Sequence, residues 1–127
     1  MTAYSNGGHG DIDPCKALMK SCNDVMMHMA ADLGATRFAK YVRSFGFGSK
    51  TGIDLPGEAE GGIFSKEKLH QVELATSSFG QGQTVTMIQL ASAFSAVING
   101  GNYYQPHVVE EINSESGAVV SSNDNTL

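Results

Sequence analysis

The sequence lacks tryptophan, long apolar runs and an excess of positive charge. Its 8 Lys and Arg residues face 13 Asp and Glu residues, a net charge of −5. This balance argues against a nucleic-acid partner, because phosphate binding needs clustered Lys and Arg. No run approaches the roughly 18 apolar residues of a membrane span, and the first residues are polar and glycine-rich. We therefore expect any signal peptide or membrane anchor of a parent protein to lie outside this sequence.

Cysteine is also scarce, with Cys15 and Cys22 as the only two. Along one continuous helix, their separation would give a rise of about 10 Å, which exceeds the reach of a disulfide. Unless the chain folds back sharply near Ser21, we expect two free thiols. We also expect no metal site and no cofactor.

The residues that are present are typical of a loop-rich globular protein. The sequence is 41% hydrophobic and 17% charged, with 15 glycines. A chain of 127 residues fits one domain and can bury roughly two-thirds of the surface that its unfolded form exposes. We therefore expect residues 1–127 to form a hydrophobic core rather than a disordered segment.

Two predicted helices flank the stretch Ser21-Cys22-Asn23. Asp13-Pro14 supplies an N-cap carboxylate and a proline at the first helical position, which predicts a helix to about Lys20. Four-residue spacing of apolar residues then predicts a second helix that ends at Gly34. The spaced residues are Val25, Met29 and Leu33.

Ser21 has two possible roles at this junction. Because Asp24 follows it at the spacing of a capping box, the simpler role is an N-cap. The alternative is a functional site that uses the Ser21 hydroxyl together with the Asn23 carboxamide. The pattern Ser-x-Asn alone does not decide, because it recurs at Ser121-Ser122-Asn123 in a polar tail. A shared site requires a helix break with both side chains on one open side, since residues two apart in a continuous helix point in different directions.

The remaining sequence predicts a mainly helical part over about residues 11–100 and a small β-hairpin over about 105–121. Thr36 can cap a third helix, and a short helix is expected after Ser65. The clearest helix is capped by Thr84 or Thr86, and we expect its apolar stripe to be the packing centre. That stripe contains Met87, Leu90, Ala91, Phe94, Val97 and Ile98. Alternation at about 107–112 and 119–120 predicts the hairpin strands.

Several short motifs follow one another between about Gly8 and Gly117. They are Ala17 to Asn23, Phe45-Gly46-Phe47-Gly48, Thr51 to Glu58, Ser78-Phe79-Gly80-Gln81-Gly82, Val85-Thr86 and Asn99-Gly100-Gly101. In this order and spacing, the sequence resembles the transpeptidase domain of class B penicillin-binding proteins, in particular the division and sporulation members of Gram-positive bacteria. The resemblance implies the helical part of the α+β fold shared by serine β-lactamases and penicillin-binding transpeptidases.

The resemblance also implies a function for the parent protein. Such enzymes cross-link peptidoglycan stem peptides through a serine acyl-enzyme and are acylated by β-lactams, at the extracytoplasmic face of the cell membrane. Their site uses Ser-x-x-Lys, then Ser-x-Asn, then Lys-Ser/Thr-Gly. Carried over by position, Ser21 would relay a proton near the nucleophile, and Asn23 would donate a hydrogen bond to the substrate.

Two further motif matches are expected to be coincidental. Ser65 and Lys68 fit Ser-x-x-Lys but follow Ser21, whereas the nucleophile motif precedes Ser-x-Asn in the family. Lys50-Thr51-Gly52 lies in a glycine-rich loop rather than on a strand, so we expect Lys50 to be solvent-exposed. The sequence is thus interpreted as an internal fragment without its own nucleophile, inactive by itself.

The sequence leaves two alternatives open. The chain could be a non-catalytic helical interaction module that self-associates through exposed apolar surface. It could also be an unrelated hydrolase that uses Ser65, Lys68 and a histidine, although no spacing supports this. The histidines are His9, His28, His70 and His107.

Overall fold

The structure is a computed structural model that describes residues 2–3 and 9–123. This part of the chain is mainly helical, with short antiparallel strand pairs at either end. Its α-helices are α1 (Pro14–Met19), α2 (Asn23–Leu33), α3 (Ala35–Ser44), α4 (Gln71–Ser78) and α5 (Met87–Ile98), and Lys66–Lys68 forms a 3₁₀ turn. The strands are β1 (Thr2–Ala3), β2 (Gly10–Asp11), β3 (Glu111–Asn113) and β4 (Val119–Ser122). The predicted mainly α fold with a small β-hairpin is confirmed.

The chain divides into two compact units. The first contains Met1–Val42 and Ile63–Gln83, and the second contains Arg43–Gly62 and Thr84–Leu127. Strand β1 pairs with β2 in the first unit, and the sequence does not predict this strand pair. None of the helices in the described ranges is long and apolar enough to cross a membrane.

The first unit is organised around α1, α2 and α4. Asp13 begins α1 as predicted, since its carboxylate accepts a hydrogen bond of 2.8 Å from the Lys16 backbone N–H. The buried side chains of Ala17, Cys22 and Val25 form a small core. Helix α2 packs against α4, which brings two elements distant in sequence side by side.

Two helix boundaries in this unit test the sequence predictions. Helix α3 already begins at Ala35, so Thr36 lies inside it, and the predicted Thr36 cap is wrong. The short helix expected after Ser65 is present as the 3₁₀ turn, with Ser65 at its N-cap position. Only Ala39 is buried among the α3 residues.

The second unit contains a polar connection around Gln89. Thr86 caps α5 in a complete capping box, because its hydroxyl accepts from the Gln89 N–H and the Gln89 side chain accepts from the Thr86 N–H. The same carboxamide is fully buried, and its Nε2 donates to the carbonyl oxygens of Ser49 at 2.6 Å and Glu60 at 2.8 Å. One side chain therefore begins α5 and joins both ends of the loop over residues 49–60.

Helix α5 buries small or polar residues rather than the large apolar residues of its sequence. Its buried side chains are Gln89, Ser92, Ala93 and Ala96. Phe94 is 64% exposed and Ile98 is 83% exposed. The predicted role of the large apolar stripe as a packing centre is therefore wrong for these residues. Helical spacing identifies an apolar face but does not show that another element covers it.

Two carboxylates fix the loop that follows α3. Glu58 accepts hydrogen bonds of 2.6 Å from both the N–H and the hydroxyl of Thr51. Asp54 accepts bonds of 2.8 Å from the backbone N–H groups of Val108 and Val109. The hydrogen bonds from the backbone N–H groups of Val109 and Val108 hold the pKa of Asp54 below its ordinary value. The hydrogen bond from the Thr51 hydroxyl likewise holds the pKa of Glu58 below its ordinary value.

The hairpin strands are shorter than the sequence pattern predicts. Strands β3 and β4 pair antiparallel, with an irregularity between Ile112 and Asn113. Residues 107–110 belong to no strand. The reason is visible in the hydrogen bonds, because the N–H groups of Val108 and Val109 are used by Asp54 and not by a neighbouring strand.

Candidate functional site

The stretch Ser21-Cys22-Asn23 lies between α1 and α2, where the sequence predicts a helix break. Ser21 has φ of 48° and is the only non-glycine residue with positive φ in the described ranges. Its N–H donates to the Leu18 carbonyl at 3.0 Å, and the Cys22 N–H donates to the Ala17 carbonyl at 2.9 Å. These two bonds form a Schellman motif in which Ser21 occupies the left-handed position that glycine usually takes.

This geometry excludes the simpler role of Ser21. The N-cap of α2 is Cys22, which makes no side-chain capping bond, so Ser21 is not the cap of a capping box. A serine in the left-handed region costs roughly 1–2 kcal/mol relative to a helical conformation. Backbone strain of this kind is concentrated at active sites and ligand clamps.

The break brings Ser21 and Asn23 to the same open depression. The depression has a volume of about 260 Å³ and is lined by His9, Ser21, Cys22, Asn23 and Asp24. Both Ser21 and Asn23 are exposed, whereas Cys22 between them is buried in the core. The predicted helix break and shared open side are thus confirmed. Hydroxyl, carboxamide and imidazole groups are available here for proton transfer and hydrogen bonding.

Asp24 connects this depression with a larger groove between α2 and α4. The groove has a volume of about 470 Å³, and its lining residues are Asp24, Met27, His28, Ala31, Gln71, Leu74 and Ala75. Asp24 is half-buried and contributes to the walls of both. The Ser21 site therefore opens beside a mixed polar and apolar surface.

The other candidate motifs lie in settings unlike a catalytic strand or helix. Lys50 is exposed in a loop, as predicted, and the neighbouring Thr51 is bound by Glu58. Ser65 precedes a 3₁₀ turn of three residues that contains Lys68. Cys15 and Cys22 are both free thiols, as expected from their spacing. Within the described ranges, no group of three His, Cys, Asp or Glu residues could hold a metal ion.

Two features of the site were not evident from sequence. The positive φ of Ser21 accompanies the backbone hydrogen bonds to the carbonyls of Ala17 and Leu18. A serine in the sequence does not predict a positive φ, as a glycine would. The sequence gives no reason to place His9 beside Ser21, yet His9 lines the depression with that residue. No local pattern links two residues that are so far apart in the chain.

Comparison with protein families gives a match over almost the whole chain. The family described as the penicillin binding protein transpeptidase domain matches residues 2–126. Stage V sporulation protein D of Bacillus subtilis is 42% identical over 111 residues, covering 87% of this chain and 17% of that protein. Peptidoglycan D,D-transpeptidase MrdA of Acinetobacter baumannii is 37% identical over 115 residues, covering 84% of this chain and 17% of that protein. The chain thus spans less than a fifth of the length of these relatives.

Solved structures share the fold. Penicillin binding protein 3 from Mycobacterium tuberculosis, complexed with aztreonam, superposes with a TM-score of 0.87 at 24% identity, covering 97% of this chain and 27% of that one. The D,D-transpeptidase domain of a peptidoglycan glycosyltransferase from Eggerthella lenta gives a TM-score of 0.83 at 25% identity, covering 99% and 35% of the two chains.

Proposed function

Because the chain belongs to the penicillin-binding protein transpeptidase domain family, we propose that it forms one wall of a site that cross-links peptidoglycan stem peptides through a serine acyl-enzyme. The observation that carries this proposal is the helix break at Ser21, which brings Ser21 and Asn23 to one open depression. Stem peptides and β-lactams are the corresponding ligands of the whole protein. Its location is the extracytoplasmic face of the cell membrane.

Ser21 acts in this proposal as a proton relay. Its hydroxyl can donate and accept a hydrogen bond at the same time, which a relay between a nucleophile and a leaving group requires. Its left-handed backbone turns it out of the helix and into the depression, while the buried Cys22 anchors the next residue in the core. Ser21 is exposed and is not itself the acylated serine.

Asn23 acts as a hydrogen-bond donor to the substrate. It is the first residue of α2, and its carboxamide offers two N–H donors at the edge of the depression. A fixed donor aimed at a peptide carbonyl orients the substrate and lowers the barrier to attack.

The chain by itself forms no acyl-enzyme. Acylation needs a serine with a base in hydrogen-bond reach and donors aimed at the developing oxyanion. Ser65 precedes only a short 3₁₀ turn and makes no side-chain capping bond. Intact-mass spectrometry of the 127-residue chain after incubation with excess benzylpenicillin should show no added mass. An adduct on any serine, including Ser21 or Ser65, would contradict this.

The residue roles are tested in a chimera. Residues 2–126 replace the matching segment of Stage V sporulation protein D, and acylation by a fluorescent penicillin is followed over time. Ser21→Ala and Asn23→Ala should each lower the acylation rate about 100-fold or more, the usual effect of losing a proton-transfer group or a fixed donor. Circular dichroism establishes that each chimera is folded.

The second Ser-x-Asn pattern provides a matched control. Ser121 lies on the exposed strand β4, and Asn123 donates to the Val109 carbonyl at 2.7 Å. Ser121→Ala and Asn123→Ala in the same chimera should leave the acylation rate within about twofold of the unsubstituted chimera, because surface changes away from a site have small effects. If Ser21→Ala behaves like Ser121→Ala, the relay role is wrong.

A second candidate function is self-association. Apolar side chains alone line a depression of about 200 Å³ in the second unit; they are Phe45, Phe47, Leu90, Ala93, Phe94 and Val97. Contiguous exposed apolar surface of this kind marks interaction sites. Light scattering should show a mass that rises with concentration and returns to monomer in Phe94→Asp. Val72→Asp, at an exposed apolar residue of α4, is the control and should not change the association.

A further inference from the structure

Helix α4 carries two buried polar atoms that have no hydrogen-bond partner among the described residues. They are Oε2 of Glu73 and Oγ of Ser77, and Ser77 is only 5% exposed. Most buried polar groups in proteins are hydrogen-bonded, to protein or to an ordered water. The unpaired hydroxyl of Ser77 therefore calls for an explanation.

The neighbouring hydroxyls of α4 do not share this property. Thr76 Oγ1 donates to the Val72 carbonyl at 3.0 Å and lies 3.2 Å from the Glu73 carbonyl oxygen. Ser78 Oγ donates to the Ala75 carbonyl at 2.6 Å. Bonding back to a helix carbonyl is the ordinary way in which helical Ser and Thr are satisfied. The Ser77 hydroxyl makes no such bond among the described residues.

Ser77 lines a small cavity in the first unit. The cavity has a volume of about 10 Å³, and most of its wall is apolar, from residues such as Phe38, Val42 and Phe64. Ser77 and Gln83 contribute the polar groups. A volume of about 10–15 Å³ accommodates the centre of one water molecule and no larger ligand.

The polar groups of the cavity come from α4 and from the segment that follows it. The Gln83 side chain is held close by, because its Nε2 donates to the Ser77 carbonyl at 3.2 Å, which leaves its Oε1 as an acceptor.

We propose that this cavity is a specific binding site for one structural water molecule. The Ser77 hydroxyl donates to the water oxygen, and the water donates to Gln83 Oε1. A water so placed satisfies the unpaired Ser77 Oγ and ties α4 to the segment that follows it.

The test is detection of the water by nuclear Overhauser effects in the isotopically labelled 127-residue chain. The unsubstituted chain should show contacts between a long-lived water and the side-chain protons of Phe38 and Val42. Ser77→Ala should abolish them, because one hydrogen-bond partner is lost. Ser78→Ala, whose hydroxyl is already bonded to a helix carbonyl, should retain them. Contacts that survive Ser77→Ala, or that are absent from the unsubstituted chain, would overturn the proposal.

A crystal structure of the unsubstituted chain provides a measurement that does not depend on a variant folding. It should show a solvent peak within about 2.6–3.2 Å of both Ser77 Oγ and Gln83 Oε1. A Ser77 hydroxyl turned to a helix carbonyl, with no peak in the cavity, would contradict the site.

Discussion

At the scale of single residues, the side chain of Gln89 makes three hydrogen bonds in the second unit. Its Oε1 accepts from the Thr86 N–H, and both N–H bonds of Nε2 are used by the carbonyl oxygens of Ser49 and Glu60. Gly61 lies so close that an added Cβ would stand 3.1 Å from the Gln89 Oε1. The side chain is therefore enclosed by backbone on several sides and cannot be replaced by one of similar size but different polarity.

We predict that Gln89→Leu lowers the free energy of unfolding by about 2–4 kcal/mol. The substitution removes three hydrogen bonds of a fully buried side chain, one of which is half of the capping box. Urea unfolding followed by circular dichroism measures the change. Gln81→Leu, at an exposed glutamine, is the control and should stay within about 0.5 kcal/mol. Equal effects of the two substitutions would show that the buried network contributes little.

Substitutions at Ser21 separate the effect of backbone strain on stability from the effect of the hydroxyl group. Ser21→Gly should keep or raise the stability, because glycine adopts φ of 48° without steric cost. Ser21→Val should lower it by about 1–2 kcal/mol, since a β-branched residue is poorly accommodated in the left-handed region. Thermal unfolding of both variants measures this. Ser49→Val in an exposed loop is the control, and a similar loss there would argue against strain at Ser21.

Residue-level prediction from the sequence succeeds where the signal is local. Asp13-Pro14 and the Thr86 cap are fixed by side-chain chemistry within one turn of helix, and both are present in the structure. Gln89 is different, because two of its partners lie 40 and 29 residues away. No helix propensity or spacing contains that information, so its part in joining the loop could not be predicted.

At the scale of elements, α5 is predicted correctly as a helix, but the burial of its faces is predicted wrongly. Its extent is close to the prediction, but its buried face consists of Ser92, Ala93, Ala96 and Gln89. The periodicity of Met87, Phe94 and Ile98 reports an apolar face, and these side chains are exposed in the structure. Sequence patterning therefore fixed the helix but not the elements that would cover it.

Adjacent residues of α5 provide a direct test. Phe94→Ala should cost under about 1 kcal/mol, instead of the roughly 3–5 kcal/mol expected for a buried phenylalanine, because 64% of the side chain is exposed. Ala93→Leu should cost about 1–3 kcal/mol by overpacking a buried position. Chemical unfolding of the two variants measures which of them loses more free energy of unfolding. A larger loss for Phe94→Ala would mean that the large apolar stripe is the core.

At the scale of the whole molecule, two loop carboxylates make stability depend on pH. Asp54 and Glu58 have pKa values below their ordinary ones, because backbone and hydroxyl groups donate hydrogen bonds to their charged forms. A lowered folded pKa means that the contribution is fully present above the unfolded pKa. It is lost as the pH falls through the folded value.

We therefore predict that the chain loses stability as the pH falls below about 4, the ordinary range of carboxyl groups. Asp54→Asn and Glu58→Gln should each lower the melting temperature at pH 7 and reduce its dependence on acid. Glu115→Gln, in the exposed turn of the hairpin, is the control. If all three variants show the acid dependence of the unsubstituted chain, the loop carboxylates are not its cause.

The double use of Gln89 has a consequence for fluctuations of the native state. The first turn of a helix ordinarily frays and exchanges its amide hydrogens sooner than the middle. Here the N-terminus of α5 cannot open unless the Gln89 carboxamide releases Thr86, and the same carboxamide holds Ser49 and Glu60. The start of α5 and the two ends of the loop should therefore open as one cooperative unit, with amide hydrogens that exchange with deuterium at a common rate.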